Sequence, residues 1–188
     1  TAGNGIVHEE YHSKNFSKRG GIFEMVQLWV NLPKKYKKVP PRYQSIKNTS
    51  IPRIKIGQNL IIRVIAGKYE NIIGPAKTYT KINILEIKTT GEERFILNNI
   101  VGMNCLLLIM RGKLVINKKE YEKKTLLILN KNHKEYILKF SKNFQGLFLN
   151  GEPINEPIFH YGPFVMNTAN EIKEAIFDYQ NGKMGNLD

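Results

Sequence analysis

The chain has 188 residues, of which 41% are hydrophobic and 10% aromatic, as in ordinary folded globular proteins and unlike disordered ones. Its longest apolar run, Cys105 to Met110, is far shorter than the ~18–20 residues of a membrane-spanning helix, so we expect no association with membranes. The single cysteine, Cys105, excludes an internal disulfide and a cysteine-based zinc site, and its apolar neighbours favour a buried, inert thiol. A cytoplasmic location is expected, or a nuclear one in a eukaryote.

The charge of the chain is strongly positive, with 29 Lys and Arg against 16 Asp and Glu, a formal net charge of +13. A basic face could bind nucleic acid. Alternatively, the lysines are solvated and spread over the surface, which their dispersal favours. Lysines are dense only from Lys34 to Lys38 and in the pairs Lys118-Lys119 and Lys123-Lys124, and Glu120 and Glu122 dilute those pairs. Any binding to nucleic acid is therefore expected to be weak, independent of base sequence and sensitive to salt.

The first predicted element is a strand over Phe23–Asn31, a run rich in β-branched and aromatic residues that ends before Pro33. Residues 34–52 follow, with three prolines and several basic residues, and are predicted to form an irregular connector.

Short strand signals then recur with tight turns and without intervening helices, which indicates an antiparallel sandwich or barrel. The predicted strands are Leu60–Ile65, Thr78–Ile87, Arg94–Leu97, Asn104–Met110, Lys113–Ile116, Thr125–Leu129, Tyr136–Phe140 and Gly146–Leu149.

The tail of the chain predicts a helix. Thr168 and Glu171 have the spacing of a capping box. One helical stripe comprises Ile172, Ala175, Ile176 and Tyr179. Gly182 is placed to end the helix in a left-handed conformation.

Candidate metal ligands lie near the start of the chain, where His8, Glu10 and His12 alternate with other residues. On an extended strand these three side chains would share one face and could hold a divalent metal with open positions. The alternative is a surface ion pair or hydrogen bond. His133, in a polar turn, and His160, beside Tyr161-Gly162-Pro163, are expected to be structural or exposed.

Two stretches are more specific than composition explains. Near the start, Thr1-Ala2-Gly3-x-Gly5-Ile6-Val7-His8-x-Glu10 is followed by Gln27-Leu28-Trp29-Val30-Asn31-Leu32. Near the end, Glu156-Pro157-Ile158-x-x-Tyr161-Gly162-Pro163-Phe164-Val165-Met166-Asn167-Thr168 leads into the predicted helix and Gly182-Lys183-Met184-Gly185. Both resemble the pirin family of the cupin superfamily, with a weaker match over residues 47–145.

The resemblance implies an all-β fold of two cupin jelly-roll barrels with a C-terminal α-helix. Residues 1–52 would belong to an incomplete first barrel and its connector, and residues 53–188 to the second barrel. Pirins carry one metal, usually iron, held by three histidines and one glutamate. His8 then matches the third histidine and Glu10 the glutamate, while His12 matches no ligand. We follow the resemblance here and take His8 and Glu10 as ligands of Fe(II), with Glu10 as the catalytic candidate.

For function, the resemblance implies a metal-dependent quercetin 2,3-dioxygenase acting on a flavonol-like small molecule. Its alternative is a non-enzymatic interaction protein such as a transcriptional cofactor, with protein partners. Two of the four expected ligands are missing, because an H-x-H pair occurs nowhere in the sequence. Either these residues are part of a longer protein, or the protein is truncated. In the second barrel, Leu97, Asn99 and Met103 or Asn104 fall near the ligand positions, and none is a good iron ligand.

Overall fold

The computed structural model describes residues 1–187, which form two compact packing units. The sandwich unit comprises Gln44–Pro153. The terminal unit combines residues 1–43 with residues 154–187. These units are defined by packing, and the boundary expected between residues 52 and 53 stays a prediction.

The sandwich unit contains one short 3₁₀-helix, Asn48–Ser50, followed by antiparallel strands. The strands are β1 (Arg53–Ile56), β2 (Leu60–Ala66), β3 (Lys68–Tyr69), β4 (Ile72–Ile73), β5 (Ile82–Thr89), β6 (Glu93–Asn98), β7 (Asn104–Arg111), β8 (Lys113–Ile116), β9 (Lys119–Glu122), β10 (Thr125–Leu129), β11 (Glu135–Phe140) and β12 (Gln145–Gly151).

Two sheets make the core of this unit. One has the strand order β1-β2-β5-β12-β7-β10, and the other has the order β6-β11-β8-β9. Burial alternates along β2, β7 and β11, as expected when one face of each strand points inward. The largest fully buried side chains include Leu60, Ile62, Ile87, Leu107, Ile109, Leu114, Leu138 and Phe144.

Most predicted strands are confirmed, including Thr125–Leu129 to the residue. The strand predicted from Thr78 begins only at Ile82, because the Thr78 hydroxyl donates to the Thr80 carbonyl at 2.7 Å and folds the chain locally. Strand β9 was not predicted, since its charged sequence lacks apolar alternation. It lies at the edge of its sheet, where charged residues are common.

The terminal unit contains helix α1 (Lys14–Arg19), a 3₁₀-helix (Lys34–Tyr36), the hairpin β13 (Phe159–Tyr161) and β14 (Phe164–Met166), and helix α2 (Ala169–Gln180). Helix α2 packs against both hairpin strands. Its predicted cap is confirmed: the Thr168 hydroxyl accepts from the Glu171 N–H at 3.2 Å. The Glu171 carboxylate accepts from the Asn167 N–H at 3.0 Å.

The predicted buried stripe of α2 is only partly right. Ile172 and Ala175 are buried, and Ile176 is half-buried. Tyr179 remains 54% exposed, although its ring lies 6.2 Å from that of Phe164. Gly182 has φ +70°, as the predicted C-terminal stop requires.

The strand predicted over Phe23–Asn31 is wrong. Residues 1–52 contain no strand, so this run has no ladder partner within them. Its large side chains are exposed, with Phe23 58% and Trp29 65% accessible to solvent. The run therefore has the composition of a strand but does not form one among the described residues.

Candidate metal centre

The first residues are fixed by close backbone approaches within the terminal unit. The Asn4 N–H donates to the Val39 carbonyl at 2.9 Å, and the Val7 N–H donates to the Met184 carbonyl at 2.9 Å. A Cβ on Gly5 would lie 2.4 Å from the Met184 Sδ. The two most specific stretches of the sequence therefore contact each other, and this contact leaves no room for a side chain at Gly5.

Gly3 has φ +57°, and a Cβ there would lie 2.0 Å from the Val39 backbone oxygen. We expect Gly3→Ala to destabilise the protein by about 1–2 kcal/mol through its left-handed conformation and by about 1–3 kcal/mol more through overlap. Gly162→Ala is the matched control, because Gly162 has φ +54° with no atom within 4 Å of the added Cβ. Urea unfolding followed by circular dichroism measures both. Equal losses would show that the approach to Val39 relaxes freely.

The predicted ligands lie beyond these contacts, in a segment without regular secondary structure. His8, Glu9 and Glu10 are all exposed. A hydrogen bond from Tyr11 to the Glu9 carboxylate raises the pKa of Tyr11. Because no strand is present at residues 6–12, strand alternation cannot place His8 and Glu10. That the His8 and Glu10 side chains point in the same direction remains a prediction.

His12 is engaged in ring contacts. Its imidazole stacks on Phe16 at a centroid distance of 5.3 Å and meets Phe23 edge-on at 4.5 Å. These contacts give His12 a packing role, which agrees with its having no counterpart among the ligands of the family it resembles.

A complete metal site does not form within residues 1–187, where no three His, Cys, Asp or Glu side chains are grouped to hold an ion. His8 and Glu10 supply one nitrogen and one carboxylate donor, and the described residues do not fit a four-ligand iron centre by themselves.

The sequence did not reveal a buried lysine in the terminal unit. Lys37 is only 6% exposed, and its ammonium donates to the Asn31 Oδ1 at 2.7 Å and to the Val165 carbonyl at 3.1 Å. Burial lowers the pKa of Lys37, although Glu156 and Glu171 act in the opposite direction. The run of lysines around it gave no signal, since only the fold distinguishes Lys37 from its neighbours.

In the sandwich unit, one position expected near the ligands of a second metal site, Asn99, lies beside another amide and a thiol. The Asn99 Oδ1 accepts from the Asn150 Nδ2 at 2.8 Å and lies 3.0 Å from the Cys105 sulfur. Cys105 is buried, as predicted. Burial, together with an interaction with Cys105, raises the pKa of the nearby Tyr136. These polar groups satisfy one another.

Among residues 1–187, no helix is long and apolar enough to cross a membrane. The two antiparallel sheets, together with a match of residues 84–185 to the pirin C-terminal cupin domain, define the class: this is a cupin-fold protein. The match covers more than half of the chain, and the chain belongs to the pirin family.

Individual relatives support the assignment to the pirin family. A Pseudomonas aeruginosa protein, provisionally named a quercetin 2,3-dioxygenase, is 39% identical over 184 residues, which are 97% of this chain and 64% of that protein. Pirin of Rattus norvegicus is 30% identical over 98% of this chain and 63% of its own length. The crystal structure of quercetin 2,3-dioxygenase from Acinetobacter baumannii is 42% identical, with a TM-score of 0.95 over 100% of this chain and 66% of that one. The chain thus spans less than two thirds of each of these proteins.

Proposed function

We propose that this chain forms part of a pirin-type, metal-dependent dioxygenase that acts on a flavonol-like small molecule. The observation that carries the proposal is the H-x-E motif, His8 and Glu10, in a chain of the pirin family whose relatives include a named quercetin 2,3-dioxygenase. The relatives that carry this name are longer than this chain.

In this proposal His8 contributes a neutral imidazole and Glu10 an anionic carboxylate to a divalent metal, with Fe(II) as the proposed ion. Such a metal would bind and organise the flavonol and dioxygen. Glu10 is the proposed catalytic residue, because a carboxylate can accept a proton from a substrate hydroxyl. The exposure of both side chains leaves them free to join donors supplied from outside these residues.

The test compares the 188-residue chain with a longer version, to which the part of the Acinetobacter enzyme outside the match is added. Both are supplied with ferrous iron and quercetin, and oxygen consumption is measured. We expect the short chain to bind iron poorly and to lack useful turnover, because two ligands hold a metal much less firmly than four. The extended chain should turn over.

In the extended chain, His8→Ala and Glu10→Gln should each lower kcat/KM by about 100-fold or more. Glu9→Gln and His12→Ala are the matched controls and should remain within about threefold. Robust turnover by the short chain would contradict the need for further ligands, and equal losses in the controls would contradict His8 and Glu10 as the ligands. Circular dichroism checks that each variant is folded.

A second candidate function is a non-enzymatic interaction protein. The exposed apolar run from Ile22 to Val30 favours it, since contiguous apolar surface is typical of a binding interface. A folded, extended chain that binds iron but gives no turnover would favour this candidate over the enzyme.

A further inference from the structure

The sandwich unit has an open side where the edges of its two sheets meet. Strand β9 is the last strand of one sheet, and β10 is the last strand of the other. A tight turn through Lys124, which has φ +66°, joins them. Each edge strand pairs with one neighbour only, β9 with β8 and β10 with β7.

A half-open cleft of about 140 Å³ lies at this side. Its walls include Ile116, Tyr121, Leu127, Leu129, Tyr136 and His133. Ile116 and Tyr136 are almost fully buried, and the Leu127 and Leu129 side chains pack against the core from β10. The deep wall is therefore apolar and aromatic, and it is built on strands.

Polar groups occur at the rim. The Tyr136 hydroxyl already donates to the Asn130 carbonyl at 2.9 Å, so its ring serves as wall. The His133 imidazole lies 6.2 Å from the Tyr136 ring, centroid to centroid, and is exposed. Its Nε2 is 3.5 Å from the Asn130 Nδ2, a long contact that leaves a ring nitrogen able to bond to a ligand.

We propose that this cleft binds a single aromatic ring that carries a hydroxyl group, that is, a phenol. A closed apolar cavity of about 150 Å³ can hold benzene, so a cleft of about 140 Å³ has room for one aromatic ring. The ring would lie between Leu127, Leu129 and the two tyrosines, with its hydroxyl towards His133. Few oriented polar groups on an apolar wall are typical of small-molecule sites. The inference concerns the sandwich unit only and does not depend on the proposed dioxygenase activity.

The test is a ¹⁹F NMR titration of the 188-residue chain with 4-fluorophenol. We expect saturable binding below about 10 mM, which corresponds to a weak single-ring ligand. Leu127→Phe should fill the cleft and weaken binding by about tenfold or more. Leu126→Phe is the matched control: it lies on the same strand, its side chain is 54% exposed, and binding should be unchanged.

His133→Ala tests whether the hydroxyl group of the ligand contributes to binding. The variant should weaken the binding of 4-fluorophenol by about three- to tenfold. The binding of 4-fluorotoluene, which has no hydroxyl group and should bind more weakly, should be unchanged. If Leu127→Phe does not fold, NOEs from the bound ring to the Leu127 and Leu129 methyl groups decide the location. Failure to saturate by about 10 mM, equal weakening by the two leucine variants, or NOEs to other residues would each overturn the proposal.

Discussion

Ile172→Asp is expected to remove about 4 kcal/mol or more of the free energy of unfolding of the terminal unit. Ile172 is 8% exposed on the face of α2 that packs against the hairpin β13–β14. The substitution loses about 1.5–3 kcal/mol of apolar burial and places an unpaired carboxylate in the same space. Hydrogen exchange of the amides of residues 169–180, measured by mass spectrometry, should show loss of protection.

Phe177→Asp is the control for this change, since it makes the same replacement of a large apolar residue on the same helix at a position that is 59% exposed. Its effect should stay within about 1 kcal/mol, as is usual for surface substitutions. Thr168→Ala should cost about 0.5–2 kcal/mol, because it removes the cap acceptor. If Ile172→Asp were as stable as the parent, α2 would not be docked, and its apolar face would have to be assigned to a partner.

The sandwich unit was largely predictable because its strands carry their own signal. Burial alternates along β2, β7 and β11. The sequence of β7 is nevertheless a continuous apolar run, Cys105 to Met110, so apolar and β-branched composition between turns, and not a period of two, indicated these strands. Two of the differences have local causes: the Thr78 hydroxyl bonds to nearby backbone, and the charged sequence of the edge strand β9 lacks an apolar pattern. The sequence also failed to predict β1 and the short strands β3 and β4. The cap and end of α2 were predictable for the same reason, since their determinants are adjacent in sequence.

The candidate metal centre was predictable only as a motif. His8 and Glu10 stand at the expected spacing, but a strand is formed by its neighbours as well as by its own residues. The same reasoning explains the error over Phe23–Asn31, whose composition favours a strand while residues 1–52 contain none. Lys37 could not be predicted, because its burial depends on Asn31 and on the distant Val165.

Arg63→Met tests the most buried ion pair described in the sandwich unit. Arg63 and Glu86 are direct partners across β2 and β5, with side chains 14% and 9% exposed. The Glu86 carboxylate also accepts from Gln145 at 2.8 Å and pairs with Lys88 at 3.0 Å. Losing Arg63 leaves a buried carboxylate partly unpaired, and we expect a cost of about 2–4 kcal/mol at neutral pH. Because Lys88 and Gln145 still bond to the Glu86 carboxylate, this cost is smaller than that of burying a carboxylate with no partner.

The same variant should change how stability depends on pH. Burial alone would raise the pKa of Glu86, but hydrogen bonds and ion pairs with Lys88 and Arg63 outweigh it, and the pKa is lowered. A lowered pKa means that the folded state binds fewer protons, so this stabilisation is complete above the ordinary carboxyl pKa of 4.5 and is lost as pH falls through the lower folded value. Arg63→Met should flatten that acid limb. Urea unfolding at a series of pH values measures both effects.

Lys113→Met is the control, because it breaks a pair with Glu120 in which both side chains are half exposed. It should lower the free energy of unfolding by no more than about 1 kcal/mol. Equal costs for the two variants would mean that burial does not strengthen the Arg63–Glu86 pair.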